Sequence, residues 1–268
     1  MPSRQRAVLD LVRVNAPAVM LLEGLAEEFL SRRLCPEVGL DARALDETAP
    51  ADLAGLARRF QAAGLHPAVH GPFLDLSPGA LDPEVLKVTR ARYARTLELA
   101  ALFEPEHVVF HPGYEWSKHQ VYREKWLETS LETWRPLARR AGELGIRLVL
   151  ENTLEREPED FFPLFEALAP EGVGFCLDTG HAAAFGRVPL LAWLEALAPR
   201  LAVLHLHDNH GDRDEHLALG RGVIDFAALF SFLAGWGMKP AAVTLEPHTE
   251  ADLWPGVAVL AELWPWPL

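Results

Sequence analysis

The segment from residue 201 to residue 222 holds the densest set of side chains that could bind a metal ion. It begins as a short apolar run of strand length and then places four histidines and four acidic residues within the twelve residues that start at His205. Asp214 and His216 are two residues apart, so in an extended loop both side chains point the same way and could hold one ion. His205 and His207 share a strand face for the same reason. The segment therefore predicts a metal site at the mouth of an active site, with a solvated polar loop as the alternative.

Residues of the same types stand at the ends of six predicted strands. In chain order these strand ends are His70, His111, Glu151, Asp178, His205 and Glu246. In a parallel barrel the carboxyl ends of all strands converge on one face, where catalytic groups lie. One histidine in such a place is usually a satisfied core residue, but six ligand-type residues at the same height predict a coordination shell. Asp214 and His216 would extend that shell, and His181, three residues after Asp178, can reach a neighbouring ion.

Strand-like and helix-like runs alternate along the whole chain, which is typical of parallel α/β architecture. The predicted strands are 11–16, 37–40, 66–70, 107–111, 146–151, 173–178, 201–205 and 241–246, and the second of them is poor. The predicted helices are 21–30, 52–63, 83–103, 121–144, 160–168, 190–197, 225–236 and 253–263. Eight strand–helix units in a chain of 268 residues predict a single-domain (β/α)8 TIM barrel over residues 1–268. A doubly wound open sheet is the alternative, but no glycine-rich phosphate-binding motif follows the first strand.

The composition restricts the partners that the chain can have. A net charge of −13 gives no basic footprint for nucleic acid or for an anionic membrane. No apolar run reaches the length of a transmembrane helix, and charged residues interrupt any signal-like run near the N-terminus, so we expect a cytoplasmic protein. Cys35 and Cys176 match no ligand spacing, which predicts reduced core thiols. The apolar WPWPL end could cover the barrel itself or a second copy, which leaves a homo-oligomer open.

Short motifs at the strand ends resemble those of a known superfamily. They are HGPF at His70, FHPG at His111, LEN at Glu151, DTGH from Asp178, HLHDN from His205, DEHLALGRG from Asp214 and LEPH around Glu246. In order and placement they are similar to the xylose isomerase-like barrels, which include sugar and sugar-phosphate isomerases and epimerases and the endonuclease IV class of abasic-site nucleases. The resemblance extends from about His70 to Glu246, and the N-terminal third matches poorly.

The resemblance implies two alternative ligand sets. The epimerase branch holds one divalent ion, usually manganese, cobalt or magnesium, and its set here would be Glu151, Asp178, His205 and Glu246. The endonuclease branch holds three zinc ions with nine ligands, and this chain has a suitable residue at each position. Those residues are His70, His111, Glu151, Asp178, His181, His205, Asp214, His216 and Glu246. The expected cofactor is therefore zinc or manganese, with one to three ions per chain.

Charge counting bears on the substrate. One divalent ion against three carboxylates leaves a charge of about −1, which suits a neutral sugar, and three ions against four carboxylates leave about +2, which suits a phosphate. Loop cations that could contact a phosphate are Lys118, Arg156, Arg187, Arg213 and Arg221, although each could equally be a solubilising surface charge. Phe73, Tyr114 and Trp116 could stack on a sugar or simply anchor their loops.

The leading hypothesis is a metal-dependent isomerase or epimerase of a small carbohydrate-like substrate, phosphorylated or not. Glu151 and Glu246 would take and return the proton while the ion stabilises the enediolate. The first alternative is a multi-zinc phosphoesterase of the endonuclease IV type, although the acidic chain lacks the cations for a long duplex footprint. The second is a non-catalytic metal- or sugar-binding barrel, because fold kinship alone does not identify a reaction.

Overall fold

The computed structural model describes all 268 residues and contains a closed barrel of eight parallel strands. The strands are β1 (Arg13–Pro17), β2 (Cys35–Gly39), β3 (Ala68–His70), β4 (His107–Phe110), β5 (Arg147–Glu151), β6 (Gly174–Asp178), β7 (Leu201–Leu206) and β8 (Ala242–Leu245). Each strand pairs with the next along the chain, and β8 returns to pair with β1. This closure confirms the predicted TIM barrel and excludes the open doubly wound sheet.

Helices surround the barrel. The α-helices are α1 (Ser3–Leu9), α2 (Ala18–Met20), α3 (Ala26–Arg32), α4 (Ala42–Glu47), α5 (Pro50–Ala62), α6 (Pro83–Ala100), α7 (Trp116–His119), α8 (Arg123–Glu143), α9 (Phe162–Ala167), α10 (Thr179–Phe185), α11 (Leu190–Leu197), α12 (Phe226–Gly235) and α13 (Glu250–Leu263). A π turn (Leu21–Leu25) joins α2 to α3, and short 3₁₀ turns lie at Ala101–Phe103, Gln120–Tyr122, Pro158–Asp160, Ala169–Glu171 and Ala198–Arg200. No helix combines the length and the apolar composition that crossing a membrane requires.

The structure differs most from the prediction near the N-terminus. Helix α1 was not predicted, and the helix expected at 21–30 is divided by the π turn, where Gly24 has a φ of 132°. The predicted poor second strand is a complete one, because β2 pairs with β1 along all five of its residues. Two residues of β2 hid its pattern. Pro36 cannot donate to a strand ladder, and Glu37 places a carboxylate inside the barrel.

Aromatic side chains fill the layer between the barrel and helices α6 and α8. The rings of Tyr93 and Trp134 are stacked with centroids 5.1 Å apart, and Phe110 of β4 lies 4.9 Å from Tyr93. All three residues are buried, and β4 itself is buried on both faces, as parallel strands covered by helices are. Because such interiors are close-packed, the strand ends are held at fixed heights relative to one another.

The C-terminal residues pack on the barrel's own surface. Trp264 is buried, and the indole N–H of Trp266 donates a hydrogen bond to the carbonyl of Met238 at 2.9 Å. The ring of Trp266 also meets Phe230 of α12 edge to face, with centroids 5.8 Å apart. The WPWPL segment thus covers part of the barrel itself, which is one of the two possibilities that the sequence left open.

Candidate metal centre

The side chains at the carboxyl ends of the strands form one buried cluster. Glu151 and Asp178 are the last residues of β5 and β6, and His205 lies near the end of β7. These three side chains are essentially inaccessible to solvent. His111 and Glu246 directly follow β4 and β8. The barrel thus brings together residues that are up to 135 positions apart in the sequence, from His111 to Glu246.

All nine sequence-predicted ligands lie in this cluster. Their donor atoms fall into groups whose members lie within 4.8 Å of one another. The groups are His70, His111 and Glu151; Asp178, His181 and His207; His207, Asp214 and His216; Glu37, His205 and Glu246; and Glu151, Cys176 and His205. Glu151 and His205 link three of these groups, and His207 links the other two. The 3.0 Å contact between Glu151 Oε1 and His181 Nδ1 joins the two sets into one cluster. Three of its members were not among the predicted ligands, namely Glu37, Cys176 and His207.

The Glu151 carboxylate is the centre of the cluster. Its Oε2 atom lies 3.0 Å from His70 Nε2, 3.4 Å from His111 Nε2 and 3.4 Å from His205 Nδ1. Its Oε1 atom lies 3.0 Å from His181 Nδ1. One carboxylate therefore faces four imidazoles, a position from which it could take part in holding a metal ion.

Backbone carbonyls fix the tautomer of three of these histidines. A carbonyl can only accept a hydrogen bond, so the ring nitrogen beside it must carry the hydrogen. In each case Nδ1 donates, over 2.8 Å from His70 to Gly71, 3.0 Å from His181 to Asn152 and 2.7 Å from His216 to Glu246. The Nε2 lone pairs that remain point at carboxylates, since His181 Nε2 and His216 Nε2 lie 3.3 Å and 3.1 Å from Asp214 Oδ2.

This arrangement fits divalent cations. A nitrogen lone pair and a carboxylate oxygen repel each other unless a proton or a metal ion lies between them. Five buried atoms of the cluster have no hydrogen-bond partner, namely Glu37 Oε1, His111 Nε2, His205 Nδ1, His207 Nδ1 and Asp214 Oδ1. Mixed imidazole and carboxylate donors suit zinc and manganese. The residues therefore have the types, the burial and the tautomers that a metal centre requires.

Charge compensation within the cluster is mutual. Burial opposes ionisation of Glu151, but the His205 and His111 imidazoles hold the pKa of that carboxyl well below its usual range. Burial likewise opposes protonation of His205, yet the facing carboxylates raise its pKa well above the usual value. For His216 the carboxylate of Asp214 outweighs burial and raises the pKa to about 9. Metal ions entering this cluster would have to displace protons from these imidazoles.

Glu37 is a buried carboxylate that the sequence reasoning missed. Its Oε1 and Oε2 atoms lie 3.1 Å and 3.3 Å from His205 Nε2, and Thr244 donates its hydroxyl to Oε2 at 2.9 Å. Burial opposes its ionisation, but His205 and His107 hold the pKa of Glu37 well below the usual range. Nδ1 of the same ring faces Glu246 at 3.1 Å, so carboxylates lie against both nitrogens of His205. A metal ion bound at Nδ1 would leave the ring hydrogen on Nε2, where Glu37 can accept it.

His207 is the second missed residue. Its Nε2 atom lies 3.0 Å and 3.1 Å from the two oxygens of Asp178, and its ring stacks on that of His216 with centroids 3.8 Å apart. A Cβ at Gly180 would overlap this ring, so only glycine fits beside it. The shared strand face of His205 and His207 was visible in the sequence and could have identified this residue.

Asp208 organises the loop that carries the candidate ligands Asp214 and His216. Its buried carboxylate accepts four backbone N–H groups, from Asn209 at 2.9 Å, Gly220 at 3.0 Å, Gly222 at 2.8 Å and Ile224 at 3.1 Å. Asp208 and Leu217 also exchange two backbone hydrogen bonds of 2.9 Å each. These contacts close the two ends of the loop on each other and thereby position Asp214 and His216.

Glu155, in the loop after β5, lies outside the cluster and is also buried. Its Oε2 atom accepts the backbone N–H of Thr153 at 2.7 Å, while Oε1 has no partner. Burial, with the nearby charge of Asp160, raises the pKa of Glu155 to about 8. No imidazole compensates it, in contrast to Glu37 and Glu151, so this carboxyl is neutral over much of the physiological range.

Comparison with known proteins places the chain among barrels of this kind. The family model described as "Xylose isomerase-like TIM barrel" matches residues 34–263. The uncharacterized protein MJ1311 of Methanocaldococcus jannaschii is 31% identical over 201 residues, which cover 72% of this chain and 68% of the relative. The probable endonuclease 4 of Mycobacterium leprae is 27% identical over 206 residues, which cover 72% of this chain and 79% of the relative.

Two solved structures show the same architecture. The TTHB071 protein from Thermus thermophilus, in crystals soaked with ZnCl2, is 37% identical with a TM-score of 0.77, covering 94% of this chain and 97% of that one. A D-tagatose 3-epimerase-like protein is 24% identical with a TM-score of 0.79 over the same shares of the two chains. The second likeness is one of fold.

Replacing Glu37 with glutamine should weaken metal binding. The amide can donate to His205 Nε2, which would move the ring hydrogen to Nδ1, the nitrogen that faces the carboxylates. We expect the affinity for Zn²⁺ or Mn²⁺, measured by competition with a chromophoric chelator, to fall roughly 10- to 100-fold. Thr244→Val removes the hydroxyl that donates to Glu37 but leaves the carboxylate beside His205, and should change the affinity much less. Wild-type affinity in a folded Glu37→Gln protein would refute this role.

Asp208→Asn should destabilise the protein. The new NH2 group would face backbone N–H groups that now donate to a carboxylate, so we expect a loss of about 2–4 kcal/mol in the free energy of unfolding. Denaturant titration of the two proteins measures this difference. Asp212→Asn makes the same chemical change at an exposed site of the same loop, and should stay within about 0.5 kcal/mol of wild type. Equal losses in the two variants would contradict the role of Asp208.

Glu155→Gln should change how stability depends on pH. The pKa of Glu155 is about 8 in the folded chain and near the ordinary 4.5 in the unfolded chain, so the unfolded chain ionises first as pH rises. Wild-type stability attributable to this carboxyl is complete below pH 4.5 and is lost as pH rises to 8, by roughly 4 kcal/mol. The variant has no such loss. It should therefore gain stability relative to wild type between pH 5 and 8 in parallel urea titrations, and a constant difference would contradict the prediction.

Proposed function

The chain belongs to the xylose isomerase-like TIM barrel family, and on that premise we propose that it is a metal-dependent phosphoesterase with a centre of several divalent ions. One observation carries the proposal. Ligand groups flank the central residues on both sides, with His70 and His111 on one side and His181, Asp214 and His216 on the other. An epimerase with one ion would need only the central four residues that the resemblance implies, and would leave these flanking groups without a role.

The charge of the cluster supports more than one ion. Its five carboxylates are Glu37, Glu151, Asp178, Asp214 and Glu246. With all of them ionised, one divalent ion leaves a charge of about −3, whereas three ions leave about +1. With one ion, protonated imidazoles would have to offset the remaining negative charge, whereas a centre at +1 attracts an anion. The four carboxylates counted from the sequence gave a charge of about +2 for three ions. Including Glu37 as the fifth carboxylate lowers this charge but leaves it positive.

The proposed mechanism assigns binding and orientation to the chain's own residues. Glu151 would help to hold the ions, since His70, His111 and His205 face one of its oxygens and His181 faces the other. The carbonyl-bound Nδ1–H groups of His70, His181 and His216 would hold those rings in a ligating orientation without rearrangement. Bound ions would supply positive charge to the phosphate oxygens and an activated water as the nucleophile.

A second candidate is the isomerase or epimerase that the sequence favoured. Its supporting observation is the position of two carboxylates on either side of His205, with Glu246 Oε1 at 3.1 Å and Glu151 Oε2 at 3.4 Å from the same nitrogen. Such a pair could take a proton from one face of a hydroxy-carbonyl substrate and return it to the other. Burial also raises the pKa of Glu246, while that of Glu151 is lowered, so one carboxyl can act as acid while the other acts as base.

Metal counting and two activity assays together test the proposal. Protein purified without chelator should hold two or three ions per chain by elemental analysis. It should hydrolyse bis(p-nitrophenyl) phosphate, lose this activity on chelation and regain it with Zn²⁺ or Mn²⁺. Asp214→Asn changes only the flanking ligand group, and should lower the rate roughly 100-fold, or about 2.7 kcal/mol of transition-state stabilisation.

Other outcomes would favour the rival functions. One ion per chain, with solvent deuterium entering the α-carbon of a ketose in D₂O, would replace the phosphoesterase with the isomerase. In that case Asp214→Asn should leave the exchange rate nearly unchanged, whereas Glu246→Gln should abolish it. Tightly held ions without either activity over a broad substrate panel would support a binding protein.

A further inference from the structure

Two arginines lie close to the ring of one tryptophan near the metal centre. The guanidinium carbon of Arg156 lies 3.7 Å from the ring centroid of Trp116, and that of Arg187 lies 5.8 Å from the same centroid. Trp116 begins α7 after β4, Arg156 lies in the loop after β5, and Arg187 follows α10 after β6. Three consecutive strand-to-helix connections therefore contribute to one cluster, at the end of the barrel that carries the metal ligands.

Neither guanidinium has a partner in the chain. No carboxylate oxygen lies within 4.0 Å of Arg156 or Arg187, and neither side chain donates a hydrogen bond, whereas most of the other arginines have a carboxylate or carbonyl partner. Two other loop cations that the sequence offered as phosphate contacts are already paired, with Lys118 2.5 Å from Glu115 and Arg213 3.1 Å from Glu215. In a chain with 38 acidic and 25 basic residues, two neighbouring unpaired arginines favour an anion from outside.

The backbone holds the two arginines in place. The N–H of Arg187 donates to the carbonyl of Arg156 at 2.8 Å, and the N–H of Arg156 donates to Asp160 Oδ2 at 3.1 Å. Stacking on Trp116 further restricts the half-buried Arg156 side chain. The Arg187 side chain is exposed and has no counter-charge in the chain, so it is free to turn toward an anion that Arg156 binds. The stacked Arg156 side chain would lose little freedom on binding that anion.

Phe185 connects this cluster to the metal centre. Its ring lies 5.9 Å from that of His181, one of the flanking ligands, and it is the last residue of α10. Arg187 follows two residues later. The arginine pair therefore borders the metal centre on the side of His181. Tyr114, another aromatic residue of the loop after β4, is buried against Trp126 and serves as a loop anchor.

We propose that Arg156 and Arg187 bind a phosphate group of the substrate that does not react, and that Trp116 positions both of them for it. The substrate class is then a small organic phosphate whose phosphate lies apart from the group that reaches the metal ions. Planar guanidinium groups pair with two phosphate oxygens at once, which fixes the orientation of the whole molecule. This inference deepens the proposed function, because it concerns the substrate of the same site.

The test compares phosphorylated and unphosphorylated ligands on the metal-loaded protein. Ribose 5-phosphate against ribose, and adenosine 5′-monophosphate against adenosine, are titrated calorimetrically. The phosphorylated member of at least one pair should bind 10-fold or more tightly than its partner, and the pair that shows this identifies the kind of molecule. Arg156→Gln and Arg187→Gln should each remove most of that difference.

Variants at Arg58 and Trp116 distinguish phosphate binding by the arginine pair from phosphate binding by the metal ions alone. Arg58→Gln removes an exposed arginine of α5 that also lacks a partner, and should leave the preference for phosphate unchanged. Trp116→Phe keeps an aromatic face and should retain more of the preference than Trp116→Ala. Phosphate bound only by the metal ions would give the same preference in the arginine variants as in wild type, and this result would overturn the inference.

The titrations measure binding and do not depend on turnover. A preference for phosphate that needs both arginines, in a protein that hydrolyses no phosphoester, would support the inference and reject the proposed phosphoesterase. Hydrolysis of phosphodiesters, together with a preference for phosphate that is unchanged in both arginine variants, would support the phosphoesterase and overturn the inference. No preference for phosphate in either pair would overturn the inference as well.

Discussion

The orientation of the imidazole rings is the constraint on which the rest of the site depends. Carbonyl groups fix the Nδ1 hydrogens of His70, His181 and His216, and Glu37 can accept the Nε2 hydrogen of His205 when Nδ1 binds an ion. Each remaining nitrogen then points at a carboxylate that is shared with another ring. A histidine with the opposite tautomer would turn an N–H group toward the centre and could not bind a metal ion. The barrel contributes by holding those carbonyls and carboxylates at fixed positions, since they belong to strands and short connections packed against a dense core.

The buried carboxylates show that environment, more than burial itself, decides the charge of an acid in this protein. Glu37 and Glu155 are both shielded from solvent, and burial is the largest influence on the pKa of each. Imidazoles surround Glu37 and lower its pKa, whereas Glu155 faces a backbone N–H and the charge of Asp160, and its pKa rises to about 8. Glu37 therefore carries charge because histidines face it, whereas burial and the charges of Asp178 and Glu151 raise the pKa of Glu246 even though His205 faces it. A metal ion that displaces a proton from one of these rings would replace the positive charge that stabilises the facing carboxylate.

The sequence predicted the barrel well because most of its strands and helices can be recognised from their own residues. Six strand ends are each marked by a single His, Asp or Glu, 27 to 41 residues apart along the chain, and the closure of parallel strands brings them together. Glu37 was missed because its strand reads poorly, with a proline and a charged residue among five positions, and because its partners lie on β7 and β8. The tautomers depend on carbonyls such as that of Asn152, which no side-chain pattern reveals. The sequence also offered five loop cations as equals. Only the folded chain shows that Lys118 and Arg213 are paired with acids while Arg156 and Arg187 lie close to one tryptophan.

Barrels of one family can differ in chemistry through what surrounds a common set of strand-end residues. Glu151, Asp178, His205 and Glu246 alone would make a site with excess negative charge, suited to one ion and a neutral substrate. Each flanking group adds imidazoles at the cost of at most one further carboxylate, so it increases the capacity for cations more than it increases negative charge. A larger number of ions reverses the sign of the field at the barrel mouth, and an arginine pair beside it acts in the same direction. An acidic protein can in this way present a positive site to a phosphate, because the positive charge is concentrated where the loops converge and the acidic residues are spread over the rest of the surface.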